Sequence, residues 1–160
     1  MSYYTKMGDT GQTQGLDDRC TKSDPVIEAF GAVDEAQVAL GFAAVKAEES
    51  VQHSDISAAL RWMQGVLFSI GGTACPENLP ELLAEAESLC DHFTPEEPSF
   101  DFVLPGGSEL SARIDLARVA VRRYERRLCA ISDGNPTVLD ALPLVNRLSD
   151  LCSALARNCG

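Results

Sequence analysis

Apolar residues return at steps of three and four along most of the chain, the spacing of helices with one buried face. From Pro25 to about Glu49 the repeat runs Val26, Phe30, Val33, Leu40 and Ala44, with Asp24 ahead of Pro25 as an N-cap. A second helix, about 53 to 74, carries Ile56, Leu60, Met63, Leu67, Ile70 and Ala74, and Gly71, Gly72 and Pro76 weaken its end. A shorter amphipathic stretch follows from Leu79 through Leu82, Leu83, Ala86 and Leu89 to about Phe93. The segment TPEEPSFDFVLPGG is too rich in proline and glycine for a helix and reads as a constrained loop. Ser108 to about Ile131 then repeats Leu110, Ile114, Ala117, Val121, Tyr124, Leu128 and Ile131, closed by Ser132-Asp133-Gly134. The last helix opens with Asn135 as cap and Pro136 at its first position, and runs through Val138, Leu142, Val145, Leu148, Cys152 and Leu155. Pro143 is expected to kink it. No stretch of convincing length alternates with period two, so the pattern predicts an all-α bundle of five helices.

The first 24 residues show neither periodicity. Gly8, Gly11 and Gly15 alternate there with Thr5, Thr10, Thr13, Thr21 and Ser23, which reads as a long polar loop. The whole chain, 160 residues, is expected to form a single domain, with 1–24 as the loop and 25–160 as the bundle.

Charge narrows the partners. Thirteen lysines and arginines against 24 aspartates and glutamates leave a net charge of −11, which repels nucleic-acid backbones and anionic membrane surfaces. No apolar run serves as a signal segment or spans a bilayer, so the expectation is a cytoplasmic protein. The six cysteines are scattered without a C-x-x-C pair and read mostly as small core residues. His53 and His92 are too few for an imidazole-based zinc site and read as surface or helix-end residues.

Two features do not follow from building a bundle. Arg113, Arg118, Arg122, Arg123, Arg126 and Arg127 fall within fifteen positions, opposed there by Asp115 and Glu125, so that window carries +4 and the rest −15. Arg118, Arg122 and Arg126, at i, i+4 and i+8, form a stripe beside the apolar seam with Glu125. The stripe is either a set of stems covering apolar area and pairing with nearby carboxylates, or a bidentate grip on phosphate or carboxylate. The second feature is YTKMGDTGQTQG, whose glycines admit close backbone approach beside Lys6 and three threonine hydroxyls. It lacks the Walker A spacing, and a flexible terminus is the alternative.

Six segments together are more specific than either feature. YTKMGDTGQT, Lys22 in TKSDP, EAFGAVDE, FVLPGGSEL, ARVAVRRYERR and NRLSD occur in one order from Tyr4 to Arg157. In them the chain resembles the PduO-type ATP:cob(I)alamin adenosyltransferases. The resemblance implies a ferritin-like up-down bundle assembling as a homotrimer, with ATP held between the N-terminal loop of one copy and the arginine helix of the next. It implies transfer of the 5′-deoxyadenosyl group of ATP to reduced cobalamin, with Mg²⁺ accompanying the nucleotide, a reductase supplying electrons and an adenosylcobalamin-dependent enzyme receiving the product. The alternative is an inactive nucleotide- or cobalamin-binding trimer that carries the cofactor.

Residue by residue, the resemblance implies that Thr5, Lys6, Met7 and Gly8 wrap the phosphates, with Thr13 and Gln14 as the polar pair behind them and Lys22 as a second phosphate contact. Arg122, Arg123, Glu125 and Arg126 match the nucleotide-binding segment of the long helix, and Asn146 matches the asparagine of NRLSD. Asp34 and Arg118 match a salt bridge between subunits. Phe102 matches the aromatic that packs beneath the corrin and displaces its lower ligand. The chain departs from the family pattern in a loop one residue shorter before Lys22, in Asp115 where many members have histidine, in Tyr124 for a small residue, and in Gln37 for asparagine.

Overall fold

The computed structural model describes residues 3–16, 18–71, 76–95, 103–133 and 135–159. Five helices follow a short hairpin, in the order β1 (Gln12–Gln14), β2 (Arg19–Thr21), α1 (Pro25–Ala47), α2 (Ser54–Ile70), α3 (Leu79–Phe93), α4 (Glu109–Ala130) and α5 (Pro136–Arg157). Capping explains where three of them begin. Asp24 accepts from the Val26 amide at 2.9 Å, Asn135 accepts from the Val138 amide at 3.3 Å, and Ser108 and Ser111 cap one another reciprocally. Each start therefore satisfies amides that have no carbonyl four residues earlier.

The hairpin departs from the sequence expectation. Gln12 pairs with Thr21, Thr13 with Cys20 and Gln14 with Arg19, antiparallel. Three-residue strands are too short to show alternation, and backbone hydrogen bonds rather than apolar burial hold this pair. The second helix ends at Ile70 with Gly71 as C-cap, and the continuation expected to 74 lies outside the described residues, as does Gly134. Helix α5 continues through Pro143. Cys152 is buried as expected, but Cys129 is exposed, and Cys90 and Cys159 are half-buried.

Helix α1 lies between α2 and α4, α5 packs on the other side of α4, and α3 covers α5. The core runs through Leu40, Leu60, Met63, Leu67, Ile114, Val121, Leu144, Leu148, Leu151 and Leu155, all fully buried. Burying each such side chain stabilises the fold by roughly 1.5–3 kcal/mol. The inner face of α1 is instead nearly all alanine: Ala29, Ala32, Ala36, Ala39, Ala43, Ala44 and Ala47 are buried, with Val33 and Leu40.

Paired side chains give the α1/α4 register directly. Glu28 meets Arg127, Glu35 meets Arg123, the Phe42 carbonyl accepts from Arg113, and Lys46 meets Glu109. Ascending numbers on α1 meet descending numbers on α4, so the two helices are antiparallel. The hairpin, which feeds α1, consequently sits at the end of the bundle where α4 finishes. Among the described residues no helix is long and apolar enough to cross a membrane.

Candidate functional site

The N-terminal loop is built from tight local turns. The Met7 amide donates to Thr5 Oγ1 at 3.4 Å, the Asp9 amide to the Lys6 carbonyl at 3.3 Å, and the Gly11 amide to the Gly8 carbonyl at 3.2 Å. Lys6 has φ +61°, a left-handed conformation that costs a residue with a Cβ roughly 1–2 kcal/mol. Gly11, at φ +77°, takes the same region without that cost. The Lys22 amide then donates to the Gly11 carbonyl at 2.9 Å, joining the loop to the end of β2.

Gly8 lies close to Lys22. A Cβ there would lie 3.1 Å from Lys22 Nζ, so the Lys22 ammonium rests directly against the loop backbone. Lys6 Nζ lies 5.9 Å from the Tyr4 ring centroid. The loop thus holds two ammonium groups, the exposed Thr5 and Met7, and the half-buried Gly8. Thr13 is half-buried in β1, and Gln14 is exposed, its amide donating to the Gly15 carbonyl at 3.3 Å.

Along α4 the arginines divide by face. Arg123 and Arg127 reach α1, at 3.1 Å from Glu35 and 3.3 Å from Glu28, and Arg113 bonds Glu109 and lies 3.8 Å over the Phe42 ring. A residue advances about 100° around a helix, so Arg122 and Arg126 turn to the side away from those pairs. Arg122 and Arg126 have no carboxylate partner among the described residues; Arg126 donates to the Arg122 carbonyl at 3.1 Å. On the same side, Asn146 of α5 donates to Glu125 Oε1 at 2.9 Å and fixes that carboxylate. Arg123, matched by the resemblance to the same segment as Arg122 and Arg126, forms an exposed ion pair with Glu35 of α1.

Arg118 and Asp34 do not meet within one chain. Arg118 Nε donates to Asp115 Oδ1 at 2.8 Å, both side chains half-buried. Asp34 is exposed on α1, on the rim of a groove of about 500 Å³ lined by Val38, Phe42, Leu116 and Ala120. Val38 is 73% exposed and Leu116 52% exposed, so a large apolar strip flanks Asp34. A second hollow, about 130 Å³, opens at the hairpin end between Leu16, Val26, Phe30, Tyr124, Leu128 and Val138. No cation lines it. Phe102 lies outside the described residues, as does Cys75.

Electrostatics single out the cations that remain. Of the thirteen basic residues, Lys46, Arg61, Arg113, Arg118, Arg123, Arg127 and Arg147 are paired with carboxylates, and Arg157 has an interaction of its own. Lys6, Arg19, Lys22, Arg122 and Arg126 form no such pair among the described residues. In so acidic a chain, leaving cations unpaired on one loop and one helix stripe creates positions suited to an anion. Arg19 was missed by motif reasoning: it opens β2, and its Nη2 donates to the Met7 carbonyl at 2.9 Å. Its role depends on a contact twelve residues away that no local spacing announces.

Three of the thiols are held in the unreactive protonated form. Burial pushes Cys152 up to about 12 and the half-buried Cys90 and Cys159 up to about 11, so all three are protonated at neutral pH. Among the described residues no cluster of three or more His, Cys, Asp or Glu could hold a metal ion.

Comparison with known proteins identifies the family. Residues 3–159 match the family described as Cobalamin adenosyltransferase. The corrinoid adenosyltransferase of Mycobacterium tuberculosis is 38% identical over 170 residues, covering 96% of this chain and 86% of the relative. That of Bacillus subtilis is 34% identical over 165 residues, covering 98% of this chain and 86% of the relative. Among solved structures, a variant PduO-type ATP:corrinoid adenosyltransferase from Lactobacillus reuteri, complexed with cobalamin and ATP, superposes with TM-score 0.86 at 29% identity, covering 99% of this chain and 90% of that one. A second variant from the same organism, complexed with ATP, has TM-score 0.83 at 30% identity, with 98% and 93% covered. The chain belongs to the cobalamin adenosyltransferase family, enzymes that transfer the adenosyl group of ATP to a corrinoid.

Proposed function

We propose that this chain binds the triphosphate of ATP between its N-terminal loop and the α4 stripe of a neighbouring copy, and transfers the 5′-deoxyadenosyl group to cob(I)alamin. The observation that carries this reading is the division of the unpaired cations: Lys6 and Lys22 on the loop, Arg122 and Arg126 on α4. In the reaction a bond forms between cobalt and C5′ while the bond from C5′ to O5′ breaks, and triphosphate leaves with the electron pair. The cobalt supplies the nucleophile, so the protein needs no activated serine or cysteine. Its task is to hold C5′ in line and to neutralise charge growing on the leaving group, which guanidinium and ammonium groups do. Glu125, fixed by Asn146, sits within the stripe as an acceptor for nucleotide hydroxyl or amino groups. Thr5, Met7, Gly8, Thr13 and Gln14 shape the loop around the phosphates.

The homotrimer belongs to the same proposal. Asp34 and Arg118 lie on different faces of one chain, so a bridge between them requires two copies, and the apolar strip beside Asp34 supplies area for that contact. Arg118 arrives already oriented by Asp115 through Nε, with its terminal nitrogens left for the neighbour's carboxylate. Mg²⁺ is proposed to accompany the triphosphate, whose oxygens suit a hard cation that keeps much of its water. Phe102 is proposed to lie beneath the corrin, where an apolar group displaces the lower ligand and eases reduction by a partner reductase. The product passes to an adenosylcobalamin-dependent enzyme in the cytoplasm.

Purified protein mixed with ATP, Mg²⁺ and chemically reduced cobalamin is expected to give the absorbance change of adenosylcobalamin and to release triphosphate. Binding of both substrates without turnover would replace this reading with that of a carrier. Phe102→Ala is expected to slow the reaction from cob(II)alamin far more than that from cob(I)alamin, and equal slowing removes the ligand-displacement role.

A further inference from the structure

We infer that Arg19 is a positioning residue for the nucleotide loop, tying the hairpin to the Met7 carbonyl and thereby fixing the direction in which Lys6 presents its ammonium. The inference rests on the reading of residues 5–8 as the phosphate-wrapping segment. Arg19 opens β2 opposite Gln14, and its Nη2 reaches back twelve residues to donate to the Met7 carbonyl at 2.9 Å. The bonds donated by the Met7, Asp9 and Gly11 amides span two or three residues each, and the Lys22 amide holds the hairpin to Gly11, at the far end of the loop from residues 5–8. A side chain from outside is needed, because Lys6 occupies a left-handed conformation that a free loop would abandon.

The charge of the guanidinium makes this a stronger tie than a neutral donor would give. A loop held in its binding shape before the ligand arrives avoids the ordering cost at the moment of binding, so the tie acts on nucleotide affinity. It does not touch the reacting atoms, and bound triphosphate holds the loop in its binding shape in place of the tie, so turnover with ATP saturating is left nearly intact.

The test compares the full-length wild type with Arg19→Met and Arg19→Lys. Hydrogen–deuterium exchange without nucleotide is expected to be faster at the Asp9 and Gly11 amides in Arg19→Met. The KM for ATP should rise about tenfold with kcat within about twofold, and Arg19→Lys, which keeps a charged donor, should fall between. Wild-type exchange rates in Arg19→Met would overturn the tie, and so would faster exchange with an unchanged KM. An unchanged KM for ATP in Lys6→Ala would instead overturn the phosphate-loop reading itself, a failure that the exchange measurement does not share.

Discussion

Arg122 and Arg123 are adjacent in the chain and face different tasks. Arg123 is neutralised by Glu35 across the α1/α4 contact, while Arg122 is exposed and carries no carboxylate partner among the described residues. Arg122→Ala is therefore expected to lower affinity for ATP by about tenfold to a hundredfold, the loss of a charge-assisted contact of about 1.5–3 kcal/mol. Thermal stability should stay within about 0.5 kcal/mol, since the residue covers no core. Calorimetric titration of ATP beside a melting curve checks both. The buried thiol of Cys152 gives a second residue-level expectation. Its folded pKa lies near 12, above the value of a free thiol, so the folded protein keeps a proton that the unfolded chain loses near pH 9. The stabilisation is complete below about pH 9 and fades as pH rises towards 12. Cys152→Ala is expected to flatten that alkaline fall, as read from denaturant midpoints across pH.

At the scale of elements, α5 joins core and site. Leu148 is fully buried, and Asn146 on the same helix holds Glu125. Leu148→Ala should cost about 2–5 kcal/mol, measured by denaturant unfolding, and leave the charges of the stripe unchanged. The helices themselves are legible in the sequence because their causes are local. The Asp24-Pro25, Ser108 and Asn135-Pro136 starts are caps and first-turn prolines, and the apolar repeat needs neighbours three or four positions away. The hairpin is not legible, since its short strands rest on backbone pairing between Gln12–Gln14 and Arg19–Thr21. The site is legible in part for the same reason. Spacing groups the α4 arginines, but the acids that consume Arg123 and Arg127 stand 88 and 99 positions earlier, at Glu35 and Glu28. Family motifs supply the loop, and a tertiary bond supplies Arg19.

For the whole molecule, the strip formed by Val38, Phe42 and Leu116 is apolar surface that one chain leaves in water beside Asp34. Val38→Asp places a charge in that strip without touching the core, so it is expected to lower the solution mass from that of the proposed trimer to that of a monomer while circular dichroism stays helical. Turnover should fall with the mass, because the proposed site draws its loop and its stripe from separate copies. Retained activity in a monomeric variant would show that one chain suffices.

The alanine lining of α1 has a mechanical consequence. Short side chains allow neighbouring rods to approach closely, and they leave little slack to absorb an enlargement. A bulkier residue at Ala36 would push the entire rod outward, carrying the hairpin mounted on its leading end and the carboxylate of Asp34 on its flank by similar amounts. Divergence along this seam is thus restricted by size, and two distant parts of the working surface share one rigid mount.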